Sequence, residues 1–258
     1  MIDLSNKTAL ICGATSGIGL AIAMQFAKLN ARVILVARNE DKLKSTCQSL
    51  ANENLDHFYL IADFNESYSI DELCKNINKD KIDIVINNTG GPPAGPITAA
   101  SPEEFLKAYH AHLVVNHKIM LAVISSMKAN HFGRIINIIS TSVKQPLNNL
   151  GVSNTTRAAV ANWAKTLSKE LAPHGITVNN ILPGATYTGR LSSIIENNAI
   201  NNNKSIEEVK EEMLKEIPMN RFAQSNEIAY SACFLASDLA SYITGINLPI
   251  DGGRTLSL

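Results

Sequence analysis

At 258 residues, with 45% apolar and 18% charged side chains, the chain suits one well-filled core and is short for two. Its 23 basic and 23 acidic residues balance, which argues against nucleic acid or an anionic membrane as partner and leaves small molecules or a locally built anion site. The opening "MIDLSNKTALICGAT" lacks a basic start followed by an apolar run, and no segment reaches the ~18 apolar residues of a membrane span, so the chain reads as cytoplasmic. Cys12, Cys47, Cys74 and Cys233 are widely spaced and show no metal-ligand or disulfide pattern.

Short β-branched runs alternate with helical patterns along the whole chain. "TALIC" from Thr8 reads as a strand, 18–29 as a helix, "RVILV" from Arg32 as a strand and 40–50 as a helix. "FYLIA" from Phe58 and "IDIVI" from Ile82 are further strands, followed by a long helical pattern over 102–129. "RIINII" from Arg134, a helix over 155–171, "TVNNIL" from Thr177, a helix over 226–236 and "INLPI" from Ile246 complete the series. Strands this uniformly apolar are covered on both faces, and their alternation with helices implies right-handed parallel crossovers. The expected architecture is α/β, a doubly wound parallel sheet of about seven strands with helices on both faces, as one domain spanning 1–258. In the helix 155–171, Val160, Trp163, Leu167 and Leu171 form an apolar stripe that packs either on the chain's own sheet or on another subunit. One compositional break, "ENNAINNNKSIEEVKEEMLKE", is Asn-rich and then charged, and reads as a mobile insertion.

Gly13, Gly17 and Gly19 follow the first strand and open the first helix, with Thr15, Ser16 and Ile18 between them. Glycines there let the chain turn sharply and bring a pyrophosphate against the main chain at the positive end of a helix. The spacing Gly-x-x-x-Gly-x-Gly resembles the short-chain dehydrogenase/reductase family, and the likeness extends to "INNTGG" at 86–91, "GRIINIIS" at 133–140, "HGITVNNILPGATYT" at 174–188 and "SDLASYITGINLPIDGG" at 237–253. These segments are most similar to the β-ketoacyl carrier-protein reductase branch. The resemblance implies a nicotinamide cofactor, hydride exchange with a small carbonyl or alcohol substrate, and a homotetramer joined through 102–129, 155–171 and the C-terminal strand region.

Arg38 after the second strand, with Ala37 where the family's NAD-binding members carry an acid, implies NADP(H) rather than NAD(H), because a guanidinium fork suits a 2′-phosphate. The same resemblance sets Asp63 by the adenine, although a helix cap explains it as well, and Asn87 and Gly90 along the cofactor. Pro183, Gly184 and Thr188 lie in the loop after the sixth strand, with Thr188 at the carboxamide, and 189–217 is implied to be a substrate lid.

The family's catalytic asparagine, serine, tyrosine and lysine fall on His112, Ser140, Ser153 and Arg157, so three of the four differ. A serine hydroxyl is shorter and far less acidic than a phenol, and an arginine with its ordinary pKa above about 12 relays no proton. Arg157 retains the means to hold cofactor ribose hydroxyls and to stabilise a developing oxyanion. Tyr187 and His112 are the substitute proton donors, His112 on condition that it is accessible and titrates near neutrality. The bland readings are loop packing for Tyr187 and a satisfied helix histidine for His112. His110, His112 and His117 are not spaced three or four apart, so no metal site is expected. The rival to an enzyme is a catalytically silent NADP(H)-binding protein, acting as sensor or partner subunit.

Overall fold

The structure is a computed structural model that describes residues 2–257. The β-branched runs form strands β1 (Thr8–Cys12), β2 (Arg32–Ala37), β3 (Phe58–Ile61), β4 (Ile84–Asn87), β5 (Gly133–Ile138), β6 (Ile176–Pro183) and β7 (Asn247–Ile250). They pair in parallel in the order β3-β2-β1-β4-β5-β6-β7, the doubly wound sheet that the alternation implied. The order reverses between β1 and β4, and the crevice above that switch point is where such sheets bind ligands.

Successive strand side chains feed opposite faces, as the two-residue period requires. Ala9 and Ile11 of β1, Val33 and Leu35 of β2, and Ile84 and Ile86 of β4 join one core with Ile22 and Phe26 of α1 (Gly17–Lys28). Leu10, Ile34 and Val85 join the other, under helices α3 (Ser67–Ile77), α5 (Val115–Ala129) and α6 (Gly151–Leu171). The remaining helices are α2 (Glu40–Gln48), α4 (Pro102–Tyr109), α7 (Gly189–Asn202), α8 (Ile206–Lys215) and α9 (Ser225–Ala236). No helix among the described residues is long and apolar enough to cross a membrane.

Four differences from the sequence reading bear on the site. Helix α3 is not among the helices expected from the apolar spacing. The 102–129 pattern is broken at His110–Val114, where the helix widens into a π turn before continuing as α5. Helix α6 starts at Gly151 instead of 155, so Ser153 and Arg157 sit one turn apart inside it. The 189–217 insertion is folded: Thr188 caps α7, Asn203 ends it in the left-handed region, and Ser205 and Glu208 form a capping box on α8. Leu191, Ile195, Ala199, Val209 and Ile217 give this pair a small core of its own with Phe222. Trp163 packs within its own chain, donating to His117 Nδ1 at 3.3 Å.

A row of amides crosses the sheet on the side facing α5 and α6. Asn87, Asn137, Asn180 and Asn247 stand in register on β4 to β7. Each Nδ2 donates to the next Oδ1 at 2.8 Å, from Asn87 through Asn137 and Asn180 to Asn247.

Candidate active site

The glycine loop has the shape of an anion cradle. Gly13 and Gly17 have φ of +62° and +52°, the left-handed region that glycine enters without strain. A Cβ on Gly13 would lie 2.4 Å from the Asn88 carbonyl oxygen, and one on Gly19 2.2 Å from that of Gly13, so the chain is already in van der Waals contact there. Ser16 precedes α1 in extended conformation with no side-chain cap, which leaves first-turn N–H groups free for an anion. Thr15 and Ile18 are partly buried beside it and Ser16 is exposed. Asn88 Nδ2 donates to the Cys12 and Gly13 carbonyls, both at 3.3 Å, and fixes the loop to the end of β4. Asn87, implied to line the cofactor, is instead only 3% exposed and held in the amide row. Gly90 borders open space, while Gly184 lies so close to Asp251 that a Cβ would reach its Cα at 2.7 Å.

At the end of β2, Arg38 Nη1 lies 3.8 Å from Asp63 Oδ2, and the Arg38 side chain is 69% exposed. Burial pushes the Asp63 carboxyl up in pKa, but two hydrogen bonds from Asn65 and the Arg38 charge outweigh it, so it sits below the ordinary carboxylate value. The guanidinium is thus held near the sheet edge while keeping donors free, as a 2′-phosphate requires. Uncapped N–H groups, glycines that tolerate no side chain and a tethered arginine together fit a phosphorylated dinucleotide.

The four catalytic positions sit at the ends of β5, α4 and α6. Ser140 leaves β5 and its Oγ accepts from Ser142 N at 3.1 Å, which orients the hydroxyl. Ser153 is 9% exposed, and its hydroxyl makes no hydrogen bond among the described residues. Arg157, 8% exposed, donates through Nη1 to Ile138 O at 2.9 Å and through Nη2 to Thr89 O at 3.2 Å. It therefore ties the end of β5 to the loop after β4, and its Nε is buried without a partner. Burial, and then the charge of Arg190, push its pKa down to about 10, below the value assumed from sequence, and it stays cationic at neutral pH.

His112 corrects the sequence reading. It lies in the π turn at 3% exposure, and burial, followed by the Arg157 charge, pushes its pKa down to about 2. It is neutral throughout the physiological range, which removes it as an acid at pH 7. Tyr187 is 54% exposed, and its ring packs edge-on against Phe222 with centroids 5.3 Å apart, in the cluster of α7 and α8. Pro183 ends β6, and Thr188 stands beside the glycine loop: a Cβ on Gly17 would lie 2.9 Å from its Cγ2. The site thus offers two hydroxyls and a buried guanidinium, with no acidic phenol between them.

The sequence reading singled out neither Asn88 nor Arg190. Arg190 sits in the first turn of α7, where the helix dipole disfavours a cation, and that misplacement was its signal. Its Nη2 donates to Pro92 O at 2.6 Å.

A glycine turn at the switch point of a seven-stranded parallel sheet defines a Rossmann-type dinucleotide-binding protein. The family model described as enoyl-(acyl carrier protein) reductase matches residues 13–255. The chain is 32% identical to the NADPH-dependent reductase BacG of Bacillus subtilis strain 168, over 99% of this chain and 100% of that one. It is 34% identical to the 3-oxoacyl-[acyl-carrier-protein] reductase FabG of Rickettsia conorii, again over 99% and 100%. L-sorbose reductase from Gluconobacter frateurii, solved with NADPH and L-sorbose, superposes with TM-score 0.91 at 30% identity, covering 100% of this chain and 99% of that one. The chain belongs to the short-chain dehydrogenase/reductase family, and the relatives named above are reductases.

Proposed function

We propose that the chain is an NADP(H)-dependent oxidoreductase exchanging hydride between nicotinamide and a small carbonyl or alcohol substrate, by a route that dispenses with the tyrosine–lysine pair. The observation that carries this reading is Arg157, a cation held in place by the last carbonyl of β5 and a carbonyl of the loop after β4, where the family has its lysine. When bound, NADPH supplies the hydride, two electrons with the hydrogen nucleus, to the carbonyl carbon. Arg157 then stabilises the negative oxygen that results, Ser140 donates a hydrogen bond to it, and water supplies the proton that completes the alcohol. Gly13, Gly17, Gly19, Arg38 and Thr188 hold the dinucleotide, and α7 and α8 close over the substrate as a lid. The three named relatives' reductase activities support the reaction class.

The silent NADP(H)-binding protein is the second reading, favoured by the neutral His112 and the missing phenol. Ser153→Tyr with Arg157→Lys separates the two. Restoring a positioned acid is worth roughly 10²–10⁴ in rate, and neither change alone should give it, since the phenol needs the ammonium to lower its pKa. Lysine replaces a two-pronged tie by one, so the double variant should also lose about 1–3 kcal/mol of stability. A gain in ketone reduction shows that the site kept the family geometry. No turnover by either protein, with NADPH still bound, retires the enzyme reading. The proposed assembly is a cytoplasmic homotetramer through α4, α5, α6 and the β7 region, where Leu106, Tyr109 and Leu121 are exposed; sedimentation of a monomer at micromolar concentration counts against it.

A further inference from the structure

Arg157 and Arg190 come from different helices and meet at one spot. The point where a Cβ on Gly91 would stand is 3.7 Å from Arg157 Nη2 and 3.5 Å from Arg190 Nη2, so the two groups are no more than about 7 Å apart. Like charges at that distance repel, and Arg190 depresses the Arg157 pKa in consequence. Among the described residues neither guanidinium has an ion-pair partner. Both instead grip the short segment Thr89–Pro92 by its carbonyls, through Thr89 O and Pro92 O. Arg157 Nε remains a buried, unpartnered donor on a side chain only 8% exposed. Between the two lie Gly90 and Gly91, which carry no side chain, and Gly90 borders open space.

Two converging guanidiniums without a counter-charge, one of them desolvated, are costly unless an anion completes the set. The dipole at the start of α7 compounds that cost, since it favours a negative group beside Arg190 and disfavours the arginine itself. A planar carboxylate accepts bidentate bonds from such forks better than any neutral group does. We infer that the substrate is a free oxo acid, its carboxylate received between Arg157 and Arg190 over Gly90–Gly91, and that Arg190 is a specificity-determining residue. This inference rests on the oxidoreductase reading and deepens it: the chain would prefer a carbonyl compound carrying its own negative charge to a neutral ketone or an ester.

The test uses the full chain with two probes that share one carbon skeleton and differ in charge, 2-oxohexanoate and its methyl ester. NADPH oxidation gives kcat/KM for each, and calorimetric titration with NADP⁺ present gives binding independent of turnover. The native protein should favour the acid over the ester. Arg190→Met should lower that preference on the order of 10- to 100-fold, the worth of a charge-assisted hydrogen bond. Arg190→Lys, which keeps the charge but not the fork, should fall between. Equal use of acid and ester by the native protein, or an Arg190→Met loss that is the same for both, overturns the inference and leaves hydride transfer standing. Binding of the acid without turnover, weakened by Arg190→Met, sustains the anion site and retires the hydride-transfer reading. No turnover and no binding of the acid overturns the inference.

Discussion

Replacing His112 by asparagine should make the protein relatively more stable in acid, by an amount the structure allows to be worked out. His112 is buried in the π turn with a pKa near 2, whereas the unfolded chain exposes the ring at its ordinary 6.5. Below 6.5 the unfolded state therefore takes up a proton that the folded state refuses, and stability falls as the pH falls. The slope approaches about 1.4 kcal/mol per pH unit, and integrating from neutrality to pH 5.0 gives a deficit of about 2 kcal/mol. Urea unfolding of both proteins at pH 7.5, 6.5, 5.5 and 5.0 measures it, because groups common to the two cancel in the difference. The asparagine variant should gain about 2 kcal/mol on the native protein between the ends of that series, whatever its offset at pH 7.5. Parallel curves would show that His112 titrates alike in both states, and the buried, neutral assignment would fail.

Arg38→Ala should weaken NADPH binding selectively, erasing a preference over NADH of at least about tenfold, or 1.4 kcal/mol; equal affinities in the native protein sink the assignment. Fluorescence titration with each cofactor reads it. Asn137→Leu removes two amide bonds at once and strands Asn87 Nδ2 and Asn180 Oδ1 in the sheet, so denaturant unfolding should show a loss of about 2–5 kcal/mol. Asn247→Leu, at the half-buried end of the row, breaks one bond and should cost less than half as much.

The sheet was legible because near-continuous β-branched apolar runs and glycine turns are local signals. Ala9 with Ile11, and Leu10 with Cys12, fall on opposite faces for a reason visible in five letters of sequence. The positions of Ser140, Ser153 and Arg157 were legible through motif spacing, but their environments were not. Whether a histidine titrates depends on what packs over it from distant segments, and the π turn that buries His112 follows from no single residue in "YHAHLV". Arg190 was hidden for a similar reason: its meaning comes from Arg157, 33 residues earlier in the chain and adjacent only once α6 and α7 are folded. The polarity of "ENNAINNNKS" suggested a loop, yet capping side chains and a few apolar residues at helical spacing were enough to fold it.

The amide row across β4 to β7 has a sense of direction. Every Nδ2 faces toward β7 and every Oδ1 toward β4, so the three bonds share one orientation. A single amide cannot flip alone, because reversing it would set donor against donor on one side and acceptor against acceptor on the other. The four side chains therefore switch together or stay as they are, and the bonds polarise one another in the same sense. Their acceptor end is Asn87 Oδ1, buried and unmatched beside the loop that carries Thr89 and the glycines. The sheet thus delivers a partial negative charge to the end of β4, just before the loop whose Thr89 carbonyl Arg157 holds.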